Sequence, residues 1–515
     1  MTAQGALTSS PVLHAVAVTL VCLTTLLVGA IGLRLSRTTS DFYVAGRVVG
    51  PRWNASAIGG EYLSGASFLG VAGLIMVYGV DMLWYPVGFT AGYLAMLLYV
   101  AAPLRRSGAY TLRDFAAARL RSSALRVVAT GFVVLIGWLY LVPQLQGAGL
   151  TLSTVTGAPA WVGAVVVGLV VTVNVAVGGM RSITFVQAFQ YWVKLTAIAF
   201  PAMVLLLVWA RRDGAPSPAA QAGLDPDGGR WMVPLTGLAG GHPLFSTYSL
   251  ILATFLGTMG LPHVLVRFYT NPDGRAARTT TLVVLGMLGV FYLFPTIYGA
   301  LGRVYAPELL RTGNADAVVL VLPGAALDGL PGQLLGGLVA AGAFAAFLST
   351  SSGLLVSVSG VLSTDVLGRW SGGHGSVRDF RRSAMVAGVV PLLLALQAGS
   401  LGLSTVVGLA FAVAASTFCP LLVLGIWWPR LTPVGAGAGL IVGGTLSLGA
   451  VLMTVLGPQL SGWPGALLAQ PAAWTVPAAF AVMVLGSLAT PGRVPADVGR
   501  TMVQLHAPER LRLQG

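Results

Sequence analysis

The sequence predicts an all-α integral membrane protein with about thirteen transmembrane helices, organised as two oppositely oriented halves. Three observations predict it: apolar runs of membrane-spanning length recur along the chain, basic residues gather on alternate loops, and two apolar runs are interrupted at corresponding places. Of the 515 residues, 56% are hydrophobic and 9% charged, with a mean hydropathy of +0.84. A soluble chain carries about 25% charged residues. The longest polar stretch is 211–242, too short for a water-soluble domain of about 50 residues or more.

Runs near the roughly 20 apolar residues that a bilayer core demands lie at 11–33, 53–79, 80–104, 127–155, 158–177, 183–210, 243–266, 279–302, 332–362, 383–399, 402–428, 433–457 and 471–490. The first has no basic segment before it, and Arg34 and Arg37 follow it. It reads as an uncleaved anchor rather than a signal peptide. The second contains AIGGEYLSGASFLGVAGL, with glycines at 59, 60, 65, 70 and 73 and an acid, Glu61. Glycine is a poor helix former and a carboxylate is costly in hydrocarbon. Between the sixth and seventh runs, DGAPSPAAQAGLDPDGG reads as a turn-rich external loop. The seventh run, TFLGTMGLPHVLVRFYT, places Gly257, Gly260 and Pro262 within six residues. Proline removes a backbone donor and clashes with the preceding turn, so a kink or break near 260 is expected. The tail 491–515 is short and basic, with no room for a signalling domain.

With the N-terminus outside, the inward loops and the tail hold 23 of the 29 basic residues, the outward loops five, and Lys194 lies within a span. This is the positive-inside bias. The net charge of +14 therefore reports topology and not a nucleic-acid partner. Cys22 and Cys419 both sit in apolar runs, which argues against a disulfide framework.

The two interrupted spans are five apart and so cross in opposite directions. Matched breaks in two inverted halves point to a secondary transporter, although glycine and proline also serve ordinary helix packing in membranes. A break frees backbone carbonyls and N–H groups that must be used. Carbonyls at a half-helix end suit a cation, and N–H groups suit a carboxylate.

The segments DFYVAGRVVGPRWNASAIGGEYLSGASFLGVAGL (41–74), NVAVGGMRSITFVQAFQ (174–190), GTMGLPHVLVRFYTNPDGRAARTTT (257–281) and AAFLSTSSGLLVSVSGVLSTDVLG (345–368) resemble the sodium:solute symporter family, most closely its cation/acetate (monocarboxylate) branch. The resemblance spans about residues 41–430 and implies a LeuT-type fold of two inverted five-helix repeats, 53–210 and 243–428. An extra helix at 11–33, two more within 433–490 and the cytoplasmic tail would flank them. It implies a sodium site made of the carbonyls of Gly60, Leu63 and Ala346 and the hydroxyls of Ser349 and Thr350. Neutral oxygens suit a monovalent cation that must be released, and Ala346, Ser349 and Thr350 share a helix face. The competing reading is that such hydroxyls bond back to their own helix. Where the sugar and proline branches carry an acid after GGM, this chain has Gln187, and Asn174 stands where a tyrosine is usual. The glutamine agrees with the acetate-like branch and leaves proton coupling open.

Glu61 and Lys194 are the ionisable Asp/Glu/Lys/Arg side chains deep in the spans. At 1.5 Å per residue they lie about 12 and about 16 Å from the inner surface, so an ion pair between them is expected; a snorkelling lysine and a protonated acid are the alternatives. His263 and Arg267 share a face four residues apart. Arg267 reads as an interface anchor and His263 as packing beside the break, with proton relay as the alternative. Ser64, Gly65, Gly257 and Gly260 complete the substrate or coupling candidates. The remaining histidines are scattered and suggest no metal site, and no cofactor is expected beyond the coupling ion.

The reading that follows is a sodium-coupled symporter of a short monocarboxylate such as acetate, propionate or pyruvate, in the cytoplasmic membrane with its N-terminus outside and C-terminus inside. A proton-coupled monocarboxylate carrier and a proline- or sugar-type sodium symporter are the alternatives within transport. A membrane-embedded enzyme using Glu61, His263 and Lys194 would alter its solute, and a channel would pass it without coupling. No Walker motif occurs, so ATP is not expected to drive the cycle.

Overall fold

The computed structural model describes residues 11–33, 45, 49–109, 111–211, 230–236, 241–367, 376–397, 402–458 and 460–507. Arg34 and Arg37, the start of the first family-like motif, most of the loop 211–242 and the last eight residues lie outside these.

Every regular element among the described residues is helical. In chain order the first half comprises α1 (Pro11–Leu33), α2 (Pro51–Tyr62), α3 (Val71–Tyr78), α4 (Trp84–Ala95), α5 (Ala101–Arg106), α6 (Leu112–Leu120), α7 (Ser123–Thr156) and α8 (Ala160–Arg211). The second comprises α9 (Pro243–Gly260), α10 (Pro262–Val266), α11 (Gly274–Tyr305), α12 (Glu308–Thr312), α13 (Val318–Ala326), α14 (Gly329–Leu362), α15 (Val377–Gln397) and α16 (Leu403–Trp427). Helices α17 (Pro433–Leu456), α18 (Gly462–Ala469), α19 (Ala472–Leu488) and α20 (Val498–His506) follow.

Length and composition qualify nine of the described helices to cross a membrane, or ten if the bent pair α18–α19 is one span. The thirteen expected from sequence are not established by this count, and the shortfall has identifiable sources. Helix α8 runs 52 residues and carries two expected spans, joined where Gly179 adopts φ 58°, a left-handed conformation that favours glycine. The continuous helical stretch 66–106 likewise takes in the end of the second expected span and all of the third. Helix α15 opens with Arg378, Asp379, Arg381 and Arg382, too charged for hydrocarbon over its first turns.

Helices α14 and α16 are buried along most of their length, whereas Leu20, Leu98, Leu207, Leu293 and Leu485 project outward from surfaces that suit lipid contact. Helix α8 packs on α14 and α2, and α9 packs on α16 and α4. Both predicted breaks are present. The first lies at Leu63 (φ −72°, ψ 83°), between α2 and a π-helical turn at Ala66–Gly70. The second lies at Leu261 (φ −72°, ψ 114°), between α9 and α10. Asn54, near the start of the first broken helix, donates to the carbonyl of Arg267 at the end of the second, at 3.1 Å. Further along the first helix and earlier on the second, the Tyr62 and Thr258 hydroxyls share a hydrogen bond at 2.7 Å. The two broken helices therefore run antiparallel.

Candidate functional site

The first break leaves the last carbonyls of α2 without helical partners, and α8 and α14 supply replacements. Lys194 Nζ on α8 donates to Gly60 O, to Leu63 O at 2.7 Å and to Ser349 Oγ at 2.9 Å. Thr350 Oγ1 donates to Glu61 O at 2.6 Å. Ser349 Oγ donates in turn to Ala346 O at 3.0 Å. Three of the five residues expected for a cation site, Gly60, Leu63 and Ser349, thus meet at the Lys194 ammonium, while Ala346 O is reached through Ser349 and Thr350 holds the neighbouring Glu61 carbonyl. Past the break, the freed Gly65 N–H donates to Gln144 Oε1 at 3.1 Å, and Ser64 Oγ accepts a long contact from Ser67 N at 3.4 Å. The approach is close: a Cβ on Gly60 would stand 2.1 Å from Gln187 O, so no larger residue fits there.

The expected Glu61–Lys194 ion pair is not formed. Glu61 Oε2 instead accepts from Arg267 Nε at 2.6 Å, both side chains being 1% exposed. Arg267 also donates to Thr184 Oγ1 at 2.7 Å and to Gln187 Oε1. Gln187 Nε2 passes the connection on to Ser349 O at 2.7 Å. Arg267 is therefore no interface anchor: it holds the acid of the first break from the second. Lys194 does reach the level of Glu61, at the carbonyls on either side of it, but the rotation of each helix decides the partners. Lys194 has no carboxylate within 4.0 Å among the described residues, and its three N–H donors are met by three neutral oxygens. That is how a membrane protein coordinates a monovalent cation.

Gly257 and Gly260 lie where α9 meets α16, with Cβ positions 2.5 Å from Phe411 O and 2.3 Å from Ala414 O. They permit helix contact at the second break. His263 is buried with neither ring nitrogen hydrogen-bonded among the described residues, and its ring meets Tyr140 edge-on at 5.4 Å. This fits the packing reading. Sequence reasoning missed an aromatic layer beside both breaks: Tyr62 meets Tyr93 at 4.7 Å, and Phe411 meets Phe89 at 4.8 Å and Tyr140 at 6.0 Å. Tyr93 Oη and Gln144 Nε2 are buried polar groups with no hydrogen-bond partner among the described residues. A cavity of about 160 Å³ with Tyr78, Met82, Tyr85 and Gly408 on its walls adjoins this layer through Tyr85, 5.8 Å from Phe89. Tyr140 and Gln144 are four apart on α7, a spacing that could have signalled a shared face.

Known proteins share this architecture. The model of the sodium:solute symporter family matches residues 42–443. An uncharacterized symporter of Bacillus subtilis is 32% identical over 491 residues, covering 90% of this chain and 92% of its own. A monocarboxylic acid transporter of Corynebacterium glutamicum is 32% identical over 495 residues, covering 88% of each. Among solved structures, a sodium-coupled sialic acid symporter in a substrate-bound outward-open state superposes with a TM-score of 0.70 at 19% identity, over 92% of this chain and 98% of that one. A nucleobase-cation symporter in a closed conformation gives 0.54 at 16% identity, over 91% and 99%. The fold is LeuT-type, and this multi-pass membrane chain belongs to the sodium:solute symporter family.

Proposed function

We propose that this protein is a secondary active carrier that takes up a short monocarboxylate by alternating access, without altering it chemically. Family membership supports transport, and the Corynebacterium relative named for monocarboxylic acids supports the solute class. The observation that carries the proposal is the meeting of two antiparallel broken helices at a buried polar centre, joined by the Glu61–Arg267 pair. Two halves that rock against each other need such a shared centre. The unpartnered Gln144 amide and Tyr93 hydroxyl are donors suited to a carboxylate. The adjoining aromatic layer supplies apolar contact for a short carbon chain. Family membership implies sodium as the coupling ion, and the basic loops support an N-out, C-in arrangement in the cytoplasmic membrane.

The test is uptake of labelled acetate, propionate and pyruvate into proteoliposomes, with sodium and proton gradients imposed separately. Saturable, gradient-dependent accumulation of unchanged solute is expected. Solute that emerges chemically altered, or flux that never saturates, overturns the reading. Competition by proline or a sugar in place of monocarboxylates would move the protein to another branch of the family.

A further inference from the structure

We infer that the Lys194 ammonium is the resident cation of the site between the first break and α14, so that sodium does not bind there. The inference rests on the reading of this protein as a carrier, and it departs from the ion that the family implies.

Three of the five oxygens that would hold sodium face the Lys194 ammonium, and the other two take part in hydrogen bonds beside it. Gly60 O, Leu63 O and Ser349 Oγ accept from Lys194 Nζ. Ala346 O accepts from Ser349 Oγ and Thr350 Oγ1 donates to Glu61 O. A positive charge thus sits against three of those oxygens, and a second cation there would be repelled at contact distance in a medium that screens poorly. The carboxylate that would offset a second cation is already held by Arg267. Helix α14 carries no acidic or basic side chain of its own. Lys194 is fully buried, so it does not snorkel to the interface. With all three ammonium donors used, the side chain supplies the charge and the bridge between α2, α8 and α14 that an ion would otherwise supply.

The test reads ion binding without any solute, which separates it from the monocarboxylate proposal. Purified full-length protein is melted while intrinsic tryptophan fluorescence is followed, with sodium chloride exchanged for choline chloride at constant ionic strength and pH. The wild type is expected to melt at the same temperature at zero and about 200 mM sodium. Lys194→Ala, which opens the site, should gain a saturable upward shift of roughly 3 °C or more, because a ligand of the native state stabilises by mass action. Saturable sodium stabilisation of the wild type overturns the inference. So does a folded Lys194→Ala protein that ignores sodium, because the oxygens are then no cation site. If Lys194→Ala fails to fold, binding of labelled sodium to the purified wild type decides: no saturable binding supports the inference, and about one saturable site per chain overturns it.

Discussion

Removing either member of the buried Glu61–Arg267 pair should cost far more than removing a surface ion pair, and the two losses should be unequal. An exposed pair contributes about 0–1 kcal/mol. Both side chains here are 1% exposed, and Glu61 Oε1 has no hydrogen-bond partner. Stranding one charge of such a pair costs about 3–5 kcal/mol. Arg267→Met leaves the Glu61 carboxylate near Lys194, which also attracts it, so this loss belongs at the lower end of that range. Glu61→Gln leaves Arg267 and Lys194 as two buried cations with no acid between them, and should be the worse of the two. The double variant removes both members, and should be destabilised by about 2 kcal/mol less than the sum of the singles, a coupling typical of contacting groups. The assay is thermal unfolding of purified protein followed by monodispersity, where each single loss should appear as a drop of about 3–5 °C in a chain of 515 residues. Singles that melt within a degree of wild type, or losses that simply add, would refute the reasoning.

Gly60→Ala should abolish folding or cut uptake at least about tenfold, since its Cβ would overlap Gln187 O, whereas Gly131→Ala, with nothing within 4 Å, should match wild type. Measuring folded yield and uptake for both checks this. Gln144→Leu should raise the solute concentration for half-maximal uptake about tenfold, because it removes both the acceptor for Gly65 N–H and a free donor; an unchanged value would remove Gln144 from the site. For topology, Val233→Cys should label from outside intact cells and Arg500→Cys only after permeabilisation. The native thiols of Cys22 and Cys419 are buried and should stay silent; reversed labelling would invert the orientation.

The breaks were legible in sequence because glycine and proline act on the local backbone, and Leu63 and Leu261 depart from helical geometry where those residues predicted. The clustering of Gly60, Leu63, Ala346, Ser349 and Thr350 was legible only through the family resemblance, since nothing local in α2 points at α14. The ion pairing was misread. A rise per residue gives depth, but which side chain meets which depends on helix rotation. Arg267 was read as an anchor because it lies near the end of a span, yet the chain beyond the break narrows into a 3-10 turn at Arg267–Thr270, which is buried throughout. One signal was available: Gln187 and Lys194 are seven residues apart on α8 and therefore on one face, and both contact α14 at Ser349.

The amine on the carbonyls of Gly60 and Leu63 has an electrical consequence. A dissolved ion crosses with its solute, and a monoanion moving with one sodium is neutral overall. A side chain is covalently retained and crosses nothing. A carboxylate passing Lys194 without a companion ion would carry its whole charge against an interior-negative membrane, at about 2.3 kcal/mol per 100 mV. The current that accompanies uptake in the absence of sodium therefore reports directly what the lysine has replaced.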